Sequence, residues 1–248
     1  MSLDRSLLQR GSWQGAPELA LGAEAGLRLA RLHEACGAGR HAFAHFIGAR
    51  ALAEARARDD AEAPIYWISP AWNRAPLHAP GMAAFLDPGR VIFASPRRGE
   101  DLLWVLEEVL RSGLVPLAVA ELDRLPTLTQ VRRLHLAAEQ GRDNGICAPL
   151  GLILTPGDGG AQGVESRWHV TPDHLRAERR LMALEHRLWR LERRRARMAP
   201  PRAWALHHHF SHDLALRDAT GGFSLGPPLP PGPPPDMTVD WIPRPKRD

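Results

Sequence analysis

Short apolar runs recur along the middle of the chain, and turn residues separate them. Ile65–Ile68 and Val91–Ala94 are continuous apolar runs, each followed by a Ser-Pro pair. Runs of this length that end in turn residues predict buried strands. Residues 114–120, 150–154 and 167–170 show similar apolar runs and predict three further strands.

Segments with helical periodicity lie between these runs. Residues 40–58 and 129–140 predict helices, and residues 102–112 carry leucine and valine at helical spacing before Gly113, a natural helix stop. Strands that alternate with helices indicate an α/β fold, in which helices cover both faces of a mostly parallel sheet.

The two ends of the chain differ from this pattern. Residues 1–27 are weakly patterned and predict a weakly structured N-terminal arm, before a core over residues 28–172. Residues 173–198 predict one long, Arg-rich amphipathic helix, because leucines recur there at 3-4-3 spacing. Residues 199–248 form a proline-rich extension, and its run at 226–235 favours polyproline II.

Composition excludes several classes of protein. With 44% hydrophobic and 24% charged residues, the 248-residue chain can form an ordinary core and is not wholly disordered. Two cysteines, Cys36 and Cys147, exclude a disulfide framework and fit a reducing compartment. The start of the chain has no unbroken apolar segment, and no run is long enough to span a bilayer, so we expect a cytoplasmic protein without membrane contact.

Positive charge is carried almost wholly by arginine. Lys246 is the only lysine among 32 basic residues, which excludes a phosphate-loop lysine or a Schiff base in the core. Residues 174–204 hold 10 arginines and 3 glutamates, a local charge of +7, in a chain whose formal net charge is +4. The high isoelectric point of about 9.9 therefore reflects one segment of the chain.

The turn Gly37-Ala38-Gly39-Arg40 precedes a predicted helix, where a phosphate-binding loop would lie. Such a loop needs a lysine and a Ser/Thr hydroxyl, but Arg40, His41 and Ala42 follow Gly39. Glu121 ends the strand LAVAE, a place where an acid often holds magnesium, but with no phosphate loop opposite we expect a strand-end acid. We therefore predict no catalytic residue, cofactor or metal, with a divergent ATPase that uses Arg40 as the alternative.

Two other groups of reactive side chains have ordinary structural explanations. His207, His208 and His209, followed by His212, could bind a metal opportunistically, but no neighbouring ligand completes a site. Cys36 and Cys147 have no activating neighbours in the sequence and are expected to be buried small residues.

The Arg-rich segment is the candidate for partner binding. Three interpretations of this segment stay open: a solvated helix that docks on its own core, a helix that binds a partner protein, or a weak contact with the phosphate backbone of DNA. The residues predicted to contact a partner are Leu181, Leu184, Leu188, Leu191, Arg187, Arg190 and Arg194.

Several motifs resemble a known family. Residues 86–122 resemble the core of RecA recombinases, with Ser95-Pro96, Gly99-Glu100 and Glu121 at matching places. LHEACGAG (residues 32–39), DLLWVLEEVLRSG (101–113) and LTQVRRLHLAAEQG (128–141) are similar to ImuA-type proteins of SOS mutagenesis cassettes, over roughly residues 29–172. The resemblance implies a three-layer RecA-like sandwich of the RecA/SulA-related superfamily whose ATPase residues are degenerate.

The same resemblance implies a function. ImuA-type proteins are non-catalytic accessory proteins of DNA-damage-induced mutagenesis and act with an ImuB-type polymerase-like protein and an error-prone replicative-type polymerase, near the nucleoid. RecA itself is a further candidate partner. The alternatives are a SulA-like inhibitor of cell division and a divergent DNA-binding ATPase.

Overall fold

A nine-stranded sheet organises the structure, a computed structural model that describes residues 17–22, 24–73, 77–173, 186–209 and 222–229. The strands are β1 (Glu18–Gly22), β2 (Ala25–Arg28), β3 (Leu32–Cys36), β4 (Ile65–Ile68), β5 (Val91–Ala94), β6 (Leu117–Glu121), β7 (Leu150–Leu154), β8 (Ser166–Pro172), β9 (His186–Ala196), β10 (Arg202–His209) and β11 (Phe223–Leu229). The helices are α1 (Arg40–Arg56), α2 (Ala79–Met82), α3 (Gly99–Ser112) and α4 (Leu128–Asn144).

The strands of the sheet follow the order β11-β10-β9-β8-β3-β7-β6-β4-β5. From β8 to β5 neighbouring strands are parallel, whereas β9, β10 and β11 extend the sheet as antiparallel strands. β1 and β2 form a separate antiparallel hairpin. The molecule is thus mixed α/β with a large, mostly parallel sheet, compatible with an α/β sandwich.

Helices cover both faces of the parallel half of the sheet. α1 packs on one face, where Phe43, Phe46 and Ile47 are buried with residues of the central strands. α3 and α4 pack side by side on the other face through Leu106 and Leu134. Parallel strands need this double cover, because a βαβ crossover places its helix on a face of the sheet.

The central elements agree with the sequence patterns. The strands at Ile65–Ile68, Val91–Ala94 and Leu150–Leu154 are confirmed at the predicted bounds. The helix that stops at Gly113 is also confirmed: Gly113 adopts the left-handed conformation, with φ 59°, directly after α3. Thr127 and Gln130 form a reciprocal capping box at the start of α4, which fixes where that helix begins.

The predicted helix over residues 173–198 is wrong for residues 186–196, which form β9. β9 pairs with β8 on one side and with β10 on the other. Its alternate residues Trp189, Leu191 and Arg193 are buried, a period of two that the 3-4-3 leucine spacing concealed. The rest of that predicted helix, residues 174–185, lies outside the described residues.

The terminal segments also depart from expectation. The weakly structured arm predicted over residues 1–27 is wrong for the β1–β2 hairpin, whose Leu19 and Leu27 are buried in the core. The proline-rich extension contributes β10 and β11, so a strand replaces polyproline II at residues 226–229. The prolines of β11 lie in an edge strand and beside an irregularity in the pairing with β10, the places in a sheet where proline is tolerated. Within the described residues, no helix is long and apolar enough to cross a membrane.

Candidate functional site

The turn that resembles a phosphate-binding loop joins β3 to α1. Gly37 has φ +83°, a conformation that suits glycine. The Gly37 amide donates to the Gly157 carbonyl at 2.9 Å, and the Gly39 amide donates to the Val170 carbonyl at 2.8 Å. Two of the amides that could have faced a phosphate therefore bind carbonyl groups of this chain.

Packing also fills the space beside this turn. A Cβ atom on Gly37 would lie 2.5 Å from the Val170 carbonyl oxygen, and one on Gly39 would lie 2.9 Å from Trp189 Cδ1. The Arg40 guanidinium donates to the Gly37 carbonyl at 3.2 Å, so this side chain turns back onto its own loop. The turn is thus pressed against β8 and β9, and its glycines permit that close approach.

Glu121, the second nucleotide-site position, lies at the carboxyl end of β6 as predicted. Its Oε1 accepts a hydrogen bond from Trp67 Nε1 at 2.7 Å, and its Oε2 accepts one from Asn73 Nδ2 at 3.2 Å. His41 Nε2 lies 3.4 Å from Oε2, and the His41 ring stacks on Trp67. Both oxygens of the carboxylate therefore have donors from the chain itself.

These donors stabilise the ionised form of the Glu121 carboxyl. Burial alone would raise the pKa of its carboxyl, but the hydrogen bonds from His41 and Trp67 outweigh burial and lower that pKa. The sequence pointed to Glu121 but missed its partners, which come from β4, α1 and the loop after β4. The available signal was that Trp67 and His41 carry ring N–H groups in otherwise apolar segments, and such groups need an acceptor when they are buried.

Glu34 is a fully buried acid that the sequence analysis missed. Its carboxylate accepts hydrogen bonds from Thr155 Oγ1 at 2.7 Å and Gly160 N at 2.9 Å, and it pairs with the Arg167 guanidinium. These contacts fasten the loop after β7 over the end of β3, beside the Gly37 turn. A charged residue in the middle of the apolar run LHEAC was the available signal.

Ion pairs connect the loop after β7 to β9. Arg194 bridges Asp158 at 2.9 Å and Glu192 at 3.3 Å, and Arg190 lies 2.6 Å from Glu192. His169 lies 3.3 Å from Asp158; burial, followed by the charge of Arg194, lowers its pKa. Arg190 and Arg194, predicted as partner contacts, thus have partners within the fold, and their contact with another protein stays a prediction.

The other predicted contact residues are dispersed. Leu191 is fully buried in the core, whereas Leu188 is half-buried on the other side of β9. The single leucine seam expected of a helix therefore does not form over residues 186–196. Leu181 and Leu184 lie outside the described residues, as does the side chain of Arg187.

The histidines and cysteines form no common site in the described part of the chain. His207 and His208 are consecutive on β10 and point to opposite faces; His208 Nε2 lies 3.1 Å from the Ala84 carbonyl oxygen. Burial raises the pKa of the Cys36 and Cys147 thiols to about 11, so both are protonated at neutral pH. Among the described residues, no group of three or more His, Cys, Asp or Glu side chains could hold a metal.

An open cleft of about 540 Å³ lies at the carboxyl edge of the sheet, and Leu122, the residue after Glu121, is part of its lining. It runs between the start of α3 and the loop before α4, and its lining mixes Trp72, Leu103 and Leu125 with Arg98 and Arg124. Gly99 and Glu100, which carry part of the resemblance to RecA, line this cleft, whereas Gly37, Gly39, Arg40 and Glu121 do not.

Comparison with known proteins finds similarity to solved structures but no match to a family model or a curated protein. The chain is similar to the crystal structure of SulA from Pseudomonas aeruginosa, with 20% sequence identity and a TM-score of 0.36, over 51% of this chain and 98% of that chain.

Proposed function

We propose that this chain is a non-catalytic accessory protein with a RecA-like core, which supports error-prone translesion synthesis after DNA damage by binding a polymerase-like partner. The observation that supports a scaffold is the hydrogen bonding at the two positions that resemble a nucleotide site, the Gly37 turn and Glu121. Gly37 and Gly39 donate to carbonyls of the chain, and Glu121 accepts from its Trp67 and Asn73. Groups already paired in this way have little left to offer a triphosphate and its metal.

The assignment to mutagenesis rests on the sequence segments that resemble ImuA-type proteins. Those segments form central elements of the fold. Residues 32–39 contain β3, Glu34 and the closed turn, whereas residues 101–113 and 128–141 belong to the packed pair α3 and α4. The proposed partners are an ImuB-type polymerase-like protein and an error-prone replicative-type polymerase.

The exposed arginines near the β9–β10 turn offer a surface for such partners. Arg195 and Arg197 are exposed near the β9–β10 turn, and Arg194 is exposed beside them. An acidic surface on the polymerase-like protein would complement this charge. A weak contact with DNA through the same arginines would instead show a steep dependence on salt.

The decisive experiment compares partner binding with nucleotide turnover. We expect the full chain to co-purify with the ImuB-type protein, and a strain that lacks the chain to lose damage-induced mutagenesis. Arg40→Ala should restore mutagenesis as well as the unmodified chain, because Arg40 contacts only its own loop among the described contacts.

Two outcomes would contradict this function. ATP turnover that disappears in Arg40→Ala would identify a divergent ATPase. Filamentous growth on overexpression, with unchanged mutation frequency and no co-purified polymerase-like protein, would identify an inhibitor of cell division.

A further inference from the structure

The outer edge of β5 is an open strand edge. β5 ends the sheet, and no strand pairs with its outer side in the part of the chain that the structure describes. Ile92 is 42% exposed and Phe93 is 50% exposed. Because they are consecutive in a strand, these two apolar side chains point to opposite faces of the sheet.

The two ends of the sheet are protected differently. At the other end, β11 contains Pro227 and Pro228, which have no N–H to donate to an added strand. β5 reads Val-Ile-Phe-Ala and contains neither a proline nor a charge. Natural proteins usually protect an exposed edge with such residues, so an unprotected apolar edge indicates a pairing surface.

The main chain of β5 is oriented for pairing. The Ala94 carbonyl accepts a hydrogen bond from the Ser69 amide at 3.0 Å, on the β4 side. Main-chain polar groups alternate in direction along a strand, so those of Ile92 also face β4 and those of Val91 and Phe93 face outward. An added strand would therefore hydrogen-bond to Val91 and Phe93.

The amino end of β5 is acidic at its surface. Asp87 is exposed just before the strand, and the Glu62 side chain is 93% exposed. Arg90 lies 2.6 Å from Glu62 and is only 18% exposed, so its charge is largely neutralised. The net charge presented at this end is negative.

Two exposed arginines follow the carboxyl end of β5. Arg97 and Arg98 are exposed just after the strand, and Glu100 lies 4.0 Å from Arg98. Asp101 lies beside Glu100 in the first turn of α3, so the acids equal the arginines in number, but Arg97 and Arg98 are the charges next to the strand. A second β5 laid antiparallel to the first would place Arg97 and Arg98 of each copy beside the acidic end of the other, whereas a parallel arrangement would place the arginines of the two copies together.

We propose that two copies of this chain associate through β5, antiparallel and related by a two-fold axis, to form one continuous sheet. Ile92 lies opposite Ile92 of the second copy, and Val91 lies opposite Phe93. This interface is isologous, so it closes after two subunits. It goes beyond the proposed function and stands or falls separately from the binding of a polymerase-like protein.

A disulfide trap tests the register. Ile92→Cys places two thiols across the axis in a non-hydrogen-bonded pair, close enough for a disulfide. Leu136→Cys is the matched control, because Leu136 is 64% exposed but lies on α4 and not on the β5 edge. We expect covalent dimers from Ile92→Cys and none from Leu136→Cys under mild oxidation; equal cross-linking of both variants, or of neither, would overturn the proposal.

Sedimentation measurements test the association itself. We expect a dimer whose dissociation constant rises about tenfold in Arg98→Glu, since each interface contains this residue twice, and does not change in Arg132→Glu, which alters another exposed arginine, on α4. Phe93→Pro, which removes an outward N–H, should give a folded monomer by circular dichroism. An unmodified chain that stays monomeric, or that binds an extended peptide as a monomer, would overturn the proposal.

Discussion

At the scale of single residues, acidic side chains at the carboxyl edge of the sheet bind groups from other elements of the same chain. Glu34 fastens the loop after β7, and Glu121 joins β6 to Trp67 and to the start of α1. A carboxylate can serve as a structural acceptor or as a metal ligand, and the donors around these two acids favour the structural role. Substitutions at these positions should therefore be measured as changes in stability.

Glu121→Gln should destabilise the fold. A glutamine presents an NH₂ group in place of one oxygen, where Trp67 or Asn73 already donates, and leaves a donor unpaired. We expect a loss of about 1–3 kcal/mol in the free energy of unfolding by urea titration. Glu100→Gln, at a side chain that is 79% exposed, should change stability by less than about 0.5 kcal/mol; equal losses would contradict the structural role of Glu121.

Gly37→Ala should cost more than Gly157→Ala. Both glycines have positive φ, at +83° and +58°, so both substitutions strain the backbone. The added Cβ would meet the Val170 oxygen at 2.5 Å in one case and nothing within 4 Å in the other. We expect Gly37→Ala to lower the free energy of unfolding by about 2 kcal/mol more, measured by urea titration; similar costs would show that the turn is not pressed against β8.

Residue identities predicted part of this site. Glu121 and the Gly37 turn could be predicted because local patterns mark them: Glu121 ends an apolar run, and Gly37 opens a glycine-containing turn after another. The donors to Glu121 come from sequence positions 41, 67 and 73, and the acceptors of the turn amides come from positions 157 and 170. Such pairings depend on strand order, which local patterns do not contain.

At the scale of elements, the Arg-rich segment shows where local patterns fail. Leucine, arginine and glutamate all favour helices, and the leucine spacing fits a helical face. The same segment places Trp189, Leu191 and Arg193 at a period of two, and pairing with β8 and β10 decides the outcome. Buried Arg193 is stabilised by the Trp168 and Trp204 rings at 5.7 and 5.1 Å, which the sequence could not reveal.

Leu191→Ala and Leu188→Ala distinguish a strand from a helix. In β9, Leu191 is fully buried and Leu188 lies on the opposite, less buried side. We expect Leu191→Ala to cost about 2–5 kcal/mol and Leu188→Ala less than about 1.5 kcal/mol, measured by chemical denaturation. A helical seam would bury both leucines together, so similar costs would contradict the strand.

At the scale of the whole molecule, neutral histidines that are buried or half-buried link the layers. His135 of α4 accepts from the Leu32 amide at 3.3 Å with Nδ1, and its Nε2 lies 3.1 Å from the Gly163 carbonyl oxygen. His33 contacts the Ser166 hydroxyl at 2.7 Å, and His45 of α1 packs between Trp67 and Phe85. Burial is the main cause that lowers the pKa of His33 to about 3 and those of His45 and His135 to about 4.

The fold should therefore lose stability as the pH falls below about 6.5, the ordinary pKa of histidine. In the unfolded chain these three side chains take up protons near that pH, whereas in the folded chain they do so only near pH 4 and below. Their stabilising contribution is thus complete above the unfolded pKa and is lost on acidification, by up to about tenfold in the unfolding constant per pH unit for each histidine.

Urea titrations at pH 7.5, 6, 5 and 4.5 would measure this loss, with His135→Gln as the variant that isolates one layer contact. A glutamine has no proton to gain in this range, so the variant should begin less stable and lose stability less steeply, by about one proton. If the two slopes were equal, His135 would titrate alike in both states, and the contact between α4 and β3 would not depend on a neutral ring.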